Sequence, residues 1–427
     1  MTDPRSKSII DRDCDVISMC IARPYPLVIE KGKGAIITDI EGKEYIDFAA
    51  GFAVMNVGYS NPEVNAAMTA QIEKMTHCGF QDFFAEPPLK LAEKLEQMTG
   101  YNHLFFTNSG TESVEAAIKL AMWKTKRQSL ISFYNCFHGR TLGSLSLTCS
   151  KVKHKTSFPS IRAVHSHYAY CYRCPLKLEY PDCGIECAKQ IEKVIFKREL
   201  SPEDTAAIVV EPIQGEGGYI VPPPEFHKEI RRICDDNDVL MVADEVQTGC
   251  YRTGTFLAME NFGVKPDIVC MAKALGAGLP MGATLADRSL MDWTPGTHSN
   301  TFGGNLLASA ASLAGIEFME RENIGEHAKE LGEHIMKRLR EMQQEHPSMG
   351  DVRGMGLMIG VEFVKPDKAP NPDIRDSILV EGFKQGIVLL PSGDSVIRFS
   401  PPLVLTEEEA DKGLDSFEEA LKTAEKR

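Results

Sequence analysis

The chain has 427 residues, with 47 Lys and Arg against 60 Asp and Glu, so its formal net charge is −13 when histidine is neutral. This excess of acid argues against a protein that binds nucleic acid or an anionic membrane, because both carry negative charge themselves. With 43% hydrophobic and 25% charged residues, the composition is that of a globular protein of two or three domains, and it excludes disorder, collagen and coiled coil.

The N-terminal stretch MTDPRSKSIIDRDCDVIS has scattered acidic residues, no apolar core and no small-residue cleavage site, so we expect no secretory signal. Apolar runs along the chain are interrupted well before the roughly 18 residues that a membrane span requires. We therefore expect a cytoplasmic protein whose twelve cysteines are mostly reduced thiols.

Residues 1–74 predict one part of a small α+β domain. Two extended runs in GAIITDIEGKEYIDFAAG (34–51) indicate a hairpin around Glu41-Gly42. An amphipathic stretch from Pro62 to Met75 follows it.

Residues 75–325 alternate short apolar runs with amphipathic stretches, which is the pattern of a parallel sheet covered by helices. The strand candidates are apolar nearly throughout, as expected for strands buried on both faces. They are HLFFT (103–107), SLISFY (129–134), AAIVV (206–210), VLMVA (239–243) and DIVCMA (267–272). They predict the large domain of an α/β protein.

Residues 326–427 predict the second part of the small domain. A charged amphipathic helix over 325–344 leads into the apolar run GLMIGVEFV (356–364), a further helix and a last helix. The last helix opens with TEEE, which is a capping box with Thr406 as N-cap and Glu409 three positions later.

Two charged residues, Asp244 and Lys273, each close an apolar strand candidate. In a parallel α/β sheet the carboxyl ends of strands converge on the ligand crevice. Burial there can lower the pKa of a lysine and make it a nucleophile or a Schiff-base former, and a buried carboxylate demands a cationic partner. Together they indicate an aldehyde cofactor with a basic ring nitrogen, with a structural ion pair or two unrelated strand caps as the alternatives.

The segment TNSGTESVEAAIKLA (107–121) passes from a strand through a small-residue turn into a periodic helix. Free backbone amides at a helix N-terminus form an anion site, so Ser109, Gly110 and Thr111 would hold a phosphate. Gly110 would let the backbone approach it closely. An ordinary capping box from Ser109 to Glu112 is the alternative.

The segment NCFHGRT (135–141) follows a strand candidate with an aromatic residue, a histidine and an arginine. Phe137 or His138 could cover one face of a flat ring, although core packing is the more common fate of such a phenylalanine. Arg140 near an apolar crevice indicates a carboxylate ligand.

Six motifs recur in the order of class III pyridoxal-phosphate aminotransferases, which the chain resembles from about Pro26 to its final helix. They are SGTE, FHGRT, EPIQGEGG, ADEVQTG with RTG, MAKALGAGLPMGA and SNTFGGN. DFAAGFAVMNVGYSNP (47–62) and FQDFFAEP (80–87) resemble the 4-aminobutyrate aminotransferase branch most. The resemblance implies a fold-type I transferase, in which a large domain with a mainly parallel seven-stranded sheet covered by helices joins a small α+β domain from both chain ends.

The resemblance also implies how pyridoxal 5'-phosphate would be held. Lys273 would form the Schiff base with the cofactor and then shuttle a proton between the substrate carbon and the cofactor. Asp244 would keep the pyridine nitrogen protonated. Val246 and Phe137 would press on the two faces of the ring, and Gln247 would reach its hydroxyl.

A further implication is a homodimer. Ser109, Gly110 and Thr111 would take the cofactor phosphate, and Thr301 in SNTFGGN would complete that site from the partner subunit. A dimer of dimers remains open.

The substrate residues carried over by the resemblance are two arginines and their neighbours. Arg398 would bind an α-carboxylate, and Glu216 would pair with it when the substrate has none, because an unpaired buried charge is costly. A static salt bridge is the alternative reading of this pair. Arg140 would hold the distal carboxylate, Glu211 would lie behind the site, and Phe52 stands where the 4-aminobutyrate enzymes carry a smaller aliphatic residue.

The implied reaction moves an amino group from 4-aminobutyrate or a related ω-amino acid to 2-oxoglutarate by a ping-pong mechanism. Two alternatives stay open, an acetylornithine or ornithine type of aminotransferase and a broad-specificity amino-acid racemase on the same scaffold.

Four cysteines fall in CYRCPLKLEYPDCGIEC (171–187), with two residues inside the first pair, eight between the pairs and three inside the second. Such spacing could bind zinc or an iron-sulfur cluster, and reduced thiols or a local disulfide are the alternative. No metal is assigned to the catalytic site.

Overall fold

The computed structural model describes residues 3–426, which form three sheets and the helices around them. The strands are β1 (Ile29–Lys33), β2 (Ile36–Asp39), β3 (Glu44–Asp47), β4 (His103–Thr107), β5 (Ser129–Phe133), β6 (Ala163–Ser166), β7 (Thr205–Val210), β8 (Leu240–Asp244), β9 (Ile268–Met271), β10 (Gly282–Ala286), β11 (Met349–Met355), β12 (Met358–Phe363), β13 (Ile387–Val388), β14 (Leu390–Ser392) and β15 (Val396–Phe399).

The helices range from single turns to six turns. They are α1 (Pro4–Val16), α2 (Ala50–Ala53), α3 (Pro62–Lys74), α4 (Glu86–Thr99), α5 (Gly110–Thr125), α6 (Leu142–Leu147), α7 (Glu186–Gln190), α8 (Phe196–Arg198), α9 (Pro224–Asp236), α10 (Leu306–Arg321), α11 (Ile324–Glu345), α12 (Pro372–Lys384) and α13 (Glu407–Glu425). Within the described residues, no helix combines the length and apolar sequence needed to cross a bilayer.

The largest sheet has seven strands in the order β4-β10-β9-β8-β7-β5-β6. Neighbours from β9 to β6 are parallel, whereas β10 runs antiparallel to β4 and β9. This confirms the predicted seven-stranded, mainly parallel sheet of a fold-type I transferase. The five predicted strands all form, and β6 and β10 complete the sheet.

Helices cover both faces of this sheet because its central strands are apolar on both sides. Every residue of β7 is buried, and its alternate residues enter two different cores. Ile208 and Val210 pack with Phe226 and Ile230 of α9. Ala207 and Val209 pack in the cluster that contains the inner face of α5. Strand burial therefore leaves only the strand ends for polar chemistry.

Two smaller sheets use residues from both ends of the chain. The predicted hairpin forms from β2 and β3, and β13 pairs parallel with β3, which ties residue 387 to residue 46. The other sheet has the order β11-β12-β15-β14. The domain limits 1–74, 75–325 and 326–427 stay predictions.

Candidate active site

A cavity of about 320 Å³ opens at the carboxyl ends of the central strands, between β4, β5, β7, β8 and β9. Most of the predicted site residues line it together. They are Ser109, Gly110, Thr111, Phe137, His138, Arg140, Glu216, Asp244, Val246, Gln247 and Lys273.

Lys273 lies two residues beyond β9 with a backbone φ of +47°. This left-handed conformation is costly for a residue with a side chain, and such strain concentrates at functional positions. Loss of hydration lowers the pKa of Lys273 to about 8, and the positive charge of Arg398 acts in the same direction. About a tenth of this amine is therefore neutral, and nucleophilic, at pH 7, which is far more than for an ordinary lysine.

Asp244 ends β8 and is only 5% exposed. Its Oδ2 accepts a hydrogen bond from His138 Nδ1 at 2.7 Å, and its Oδ1 accepts one from the Val246 N–H at 3.1 Å. Burial opposes a charge on His138, but the neighbouring Cys136 and Asp244 outweigh it and the pKa of His138 is raised. His138 therefore has a hydrogen-bond partner in Asp244. The assignment of Phe137 to the ring face stays a prediction.

The predicted phosphate site is the N-terminus of α5. Ser109 is its N-cap and accepts from the Glu112 N–H at 3.3 Å, whereas the Glu112 carboxylate accepts from the Asn108 N–H at 2.7 Å. The first N–H groups of the helix have no partner within it and border the cavity. A Cβ on Gly110 would lie 2.7 Å from Val246 Cγ1, so the backbone comes this close to Val246 only with glycine.

The residues of this cavity fit a flat ring that carries a phosphate and polar substituents. Gln247 Oε1 is buried and has no hydrogen-bond partner among residues 3–426. A buried polar atom without a partner costs free energy, so it indicates that a polar group of a ligand completes the site. A Cβ on Gly215 would lie 2.3 Å from that oxygen, which shows how closely this wall packs.

Arg398 and Glu216 form a buried ion pair at the edge of the cavity. Arg398 is 3% exposed, and its Nη1 donates to Glu216 Oε1 at 2.8 Å. Burial would raise the pKa of Glu216, but the charge and hydrogen bond of Arg398 lower it below its ordinary value. The guanidinium also lies 5.1 Å from the ring centroid of Phe52, which is 51% exposed, and 6.0 Å from that of Tyr219.

Arg140 lies on another wall, with its guanidinium carbon 5.3 Å from the ring centroid of Phe137. Its Nη2 donates to His154 Nε2 at 3.2 Å. Burial and the charge of Arg140 lower the pKa of His154, which favours the uncharged ring that this hydrogen bond requires. Sequence reasoning missed His154, because a histidine in the stretch SKVKHK has no feature that links it to FHGRT.

Glu211 is the residue directly after β7, and it lines the same cavity as Asp244. Its carboxylate accepts from the Phe137 N–H at 2.9 Å and from the Gly215 N–H at 2.8 Å. Burial raises the pKa of Glu211 to about 7. The side chain therefore joins two backbone segments of the cavity wall.

Thr301 does not line the cavity. It is exposed in the turn before α10, beside Asn300, whose Nδ2 donates to the Phe106 carbonyl at 2.8 Å. Its assignment to a second subunit stays a prediction.

Comparison with known proteins identifies the class to which this fold and site belong. Residues 20–421 match the model of the family described as aminotransferase class-III. The chain therefore belongs to the class III aminotransferases, as its motifs predicted, and its cofactor is pyridoxal 5'-phosphate.

Three curated relatives illustrate the range of activities in the family. The chain is 43% identical to an acetylornithine aminotransferase of Methanosarcina mazei, covering 97% of this chain and 96% of that one. It is 38% identical to a leucine/methionine racemase of Thermococcus litoralis (99% and 96%) and 34% identical to a 4-aminobutyrate aminotransferase of Escherichia coli (98% and 99%).

Solved structures agree in fold over nearly the whole chain. An amine transaminase from an uncultivated Pseudomonas species, solved with pyridoxal phosphate bound, superposes with a TM-score of 0.89 at 29% identity, covering 96% of this chain and 98% of that one.

Proposed function

We propose that this class III aminotransferase takes its amino group from an ω-amino acid, 4-aminobutyrate or a close relative, and passes it to 2-oxoglutarate in a ping-pong cycle. The observation that carries the proposal is the Arg398–Glu216 pair of 2.8 Å. A donor without an α-carboxylate leaves this pair intact, so no buried charge is left without a partner. Arg140, whose Nη2 donates to His154 and to no other side chain among residues 3–426, is then the guanidinium that meets the donor's distal carboxylate.

The chemical roles of the other side chains follow from their positions. Pyridoxal phosphate supplies an electron sink when it is bound. Lys273 would hold the cofactor through its Nζ and would then carry a proton to and from the reacting carbon of the substrate. Asp244 keeps the ring nitrogen protonated, and His138 fixes the orientation of the Asp244 carboxylate.

The second half of the cycle uses a substrate with two carboxylates. When glutamate or 2-oxoglutarate binds, Glu216 has to release Arg398 so that the α-carboxylate can take its place. Arg398 Nε is buried and has no hydrogen-bond partner among residues 3–426, so a donor is available for a second hydrogen bond to that carboxylate. The γ-carboxylate then reaches Arg140.

N-acetylornithine is a second candidate donor. The relatives named acetylornithine aminotransferase are 43% and 41% identical to the chain, and this donor also has a terminal amine with a carboxylate farther along its chain. Phe52, whose ring lies over Arg398, adds an aromatic wall where a bulkier substrate could pack.

A racemase is the alternative from another class of enzyme. It is supported by the 38% and 36% identity to racemases of Thermococcus litoralis and Pyrococcus horikoshii. Such an enzyme would return the proton to the α-carbon from the opposite face, without any 2-oxo acid.

An absorbance titration of the holoenzyme with single amines separates these candidates. We expect 4-aminobutyrate to convert the cofactor to its amine form and 2-oxoglutarate to restore it. Conversion by N-acetylornithine but not by 4-aminobutyrate would move the assignment to the second candidate. Loss of optical purity of an α-amino acid without a 2-oxo acid would establish a racemase.

We also propose a homodimer in which Thr301 of each chain reaches the cofactor phosphate in the other. Thr301 is exposed and away from its own cavity. The adjacent Phe302 is 57% exposed, and large exposed apolar side chains are typical of protein interfaces.

A further inference from the structure

Tyr219 lies beside the Arg398–Glu216 pair in an unusual conformation. Its backbone φ is +51°, and its side chain is completely buried. A left-handed conformation costs free energy in any residue with a Cβ, and such strain concentrates at functional positions. Tyr219 does not line the active-site cavity, so a functional role for this residue has to pass through a neighbouring side chain.

The neighbouring side chain is that of Arg398. Its guanidinium carbon lies 6.0 Å from the ring centroid of Tyr219, a distance at which a cation and an aromatic ring attract each other. Burial would lower the pKa of Arg398, but Glu216 and Tyr219 raise it. The Tyr219 hydroxyl is buried and has no hydrogen-bond partner among residues 3–426, so its oxygen can accept an N–H of a guanidinium.

The strained backbone of Tyr219 is held by Arg353. Arg353 Nε donates to the carbonyls of Gly218 at 3.1 Å and Tyr219 at 3.2 Å, and its Nη2 donates to the Gly218 carbonyl at 2.6 Å. The Nη1 atom of Arg353 donates to Asp351 at 2.7 Å and to Glu362 at 2.8 Å. These hydrogen bonds keep the left-handed conformation and thereby fix the position of the Tyr219 ring.

Glu216, the other partner of Arg398, has a side chain that can move. Its backbone is fixed, because its carbonyl accepts from the Gly393 N–H at 2.9 Å. Its side chain, however, is 24% exposed and borders the cavity, so the carboxylate can turn away from the guanidinium. Arg398 therefore has one partner that can leave and a second, Tyr219, that is enclosed and stays.

We propose that Tyr219 is a positioning residue that keeps the Arg398 guanidinium in place when Glu216 turns away from it. This role rests on the proposed function, in which the α-carboxylate of glutamate or 2-oxoglutarate replaces Glu216. The ring retains its contact with the guanidinium, and the hydroxyl oxygen accepts an N–H that the incoming carboxylate does not use. A substrate without an α-carboxylate does not need Tyr219, because Glu216 then stays on Arg398.

A structural role toward Arg252 is the competing explanation. Burial lowers the pKa of Arg252 to about 10, and Tyr219 opposes this shift, so the tyrosine also lies near this second guanidinium. Arg252 is already held without it, since its Nη1 donates to the carbonyls of Leu357 at 3.0 Å and Pro401 at 2.6 Å. A hydroxyl that served only Arg252 would affect every substrate equally.

Binding of two unreactive acids to the holoenzyme tests the proposal without turnover. Glutarate carries a carboxylate at each end of its chain, whereas pentanoate has the same chain length and one carboxylate, so only glutarate can reach both Arg140 and Arg398. Tyr219→Phe removes the hydroxyl and keeps the ring. We expect calorimetry to show glutarate binding weakened about 10-fold and pentanoate binding weakened less than about 2-fold.

The matched control is Tyr101→Phe, which removes a buried hydroxyl that donates to the Pro266 carbonyl at 2.6 Å, outside the active-site cavity. Both acids should bind this variant as they bind the wild type. Equal weakening of the two acids by Tyr219→Phe, or no weakening of either, would overturn the proposal.

The wild type separates this proposal from the proposed function on which it rests. Glutarate should bind the wild type more tightly than pentanoate does. Absence of that difference would contradict an α-carboxylate site at Arg398 and overturn both proposals. A difference that Tyr219→Phe leaves intact would overturn only the role of Tyr219.

A kinetic measurement distinguishes positioning from a general loss of structure. In single-turnover absorbance with glutamate, Tyr219→Phe should raise the half-saturating concentration about 10-fold and change the maximal rate by less than about 3-fold. The half-reaction of the ω-amino donor should change by less than about 2-fold, because Glu216 stays on Arg398. Equal slowing of both half-reactions would identify a structural role and overturn the proposal.

Discussion

Lys273 has a left-handed backbone conformation and a pKa lowered to about 8. The lowered pKa determines how the reactivity of its amine depends on pH. Only the neutral amine attacks an aldehyde, and its fraction rises with pH until it levels off above the pKa. At pH 8 about half of Lys273 is neutral, which is about two orders of magnitude more than for an ordinary lysine. We therefore expect the rate of cofactor capture by the apoenzyme to rise up to about pH 8 and then to level off.

The measurement is the growth of cofactor absorbance after pyridoxal phosphate is mixed with apoenzyme at a series of pH values. Lys273→Ala provides the control, since it should show no covalent capture at any pH. A rate that still climbs tenfold per pH unit above pH 9 would mean that the amine has an ordinary pKa.

The Arg398–Glu216 pair predicts that one substitution slows the half-reaction of the ω-amino donor and leaves the half-reaction with glutamate nearly unchanged. Glu216→Gln leaves Arg398 as a buried charge without a partner when the donor lacks an α-carboxylate, so we expect its half-reaction to slow by about 10- to 100-fold. The half-reaction with glutamate should change by less than about 3-fold, because its own α-carboxylate pairs with Arg398. Single-turnover absorbance measures both.

A matched control is Glu216→Asp, which keeps the charge on a shorter side chain and should retain more of the ω-donor reaction than the glutamine variant. Equal slowing of both half-reactions by Glu216→Gln would support the alternative of a static salt bridge.

The site residues at strand ends could be predicted from the sequence. The side chains that hydrogen-bond to site residues from distant segments could not. Asp244 and Lys273 each close an uninterrupted apolar run, so the local sequence alone indicates that both residues are buried at the ends of strands. His154 contacts Arg140 from the end of a short 3-10 helix 14 residues along the chain, and no local sequence pattern indicates that contact. The hydrogen bond from His138 to Asp244, 106 residues away, likewise forms because β5 pairs with β7 and β7 pairs with β8.

At the scale of elements, the prediction missed strands that lack an apolar run. Strand β6 is AVHS and β10 is GATLA. Both are short, and their small or polar residues resemble loop sequence. They become strands because β5 and the pair β4–β9 offer edges with which they can form backbone hydrogen bonds.

Helix α13 begins with the capping box that the sequence predicts, and the contribution of this cap to the stability of the helix can be tested. Thr406 Oγ1 accepts from the Glu409 N–H at 3.2 Å, and the Glu409 carboxylate accepts from the Thr406 N–H at 2.9 Å. Thr406→Ala removes one of these bonds, at a cost of about 1 kcal/mol to the first turn. We expect amide hydrogen exchange of Glu409 and Ala410, whose N–H groups bond to Thr406, to accelerate about 5-fold.

The hydroxyl can be tested separately from the bulk of the side chain. Thr406→Ser keeps the cap and should exchange at the wild-type rate, while helix interiors elsewhere, such as α10, should not change in either variant. Equal acceleration in the serine and alanine variants would rule out the cap as the cause.

At the scale of the whole molecule, the proposed dimer assigns Lys273 and Thr301 of one active site to different chains. Thr301→Glu should weaken cofactor binding, because the added carboxylate would face the phosphate. In a mixed dimer of Lys273→Ala with Thr301→Glu, one site then carries both lesions and the other carries none. At a cofactor concentration too low to load Thr301→Glu alone, random mixing of the two variants should therefore restore about a quarter of the wild-type activity.

The same experiment distinguishes a shared site from one contained in a single chain. If Thr301 acts on the cavity of its own chain, each subunit of the mixed dimer keeps one lesion and no activity returns. Each variant incubated alone is the control for the mixing procedure. Restored activity would arise only through an interface that brings the exposed turn before α10 to the N-terminus of α5 in a second copy, which is the arrangement that the exposure of Thr301 and Phe302 supports.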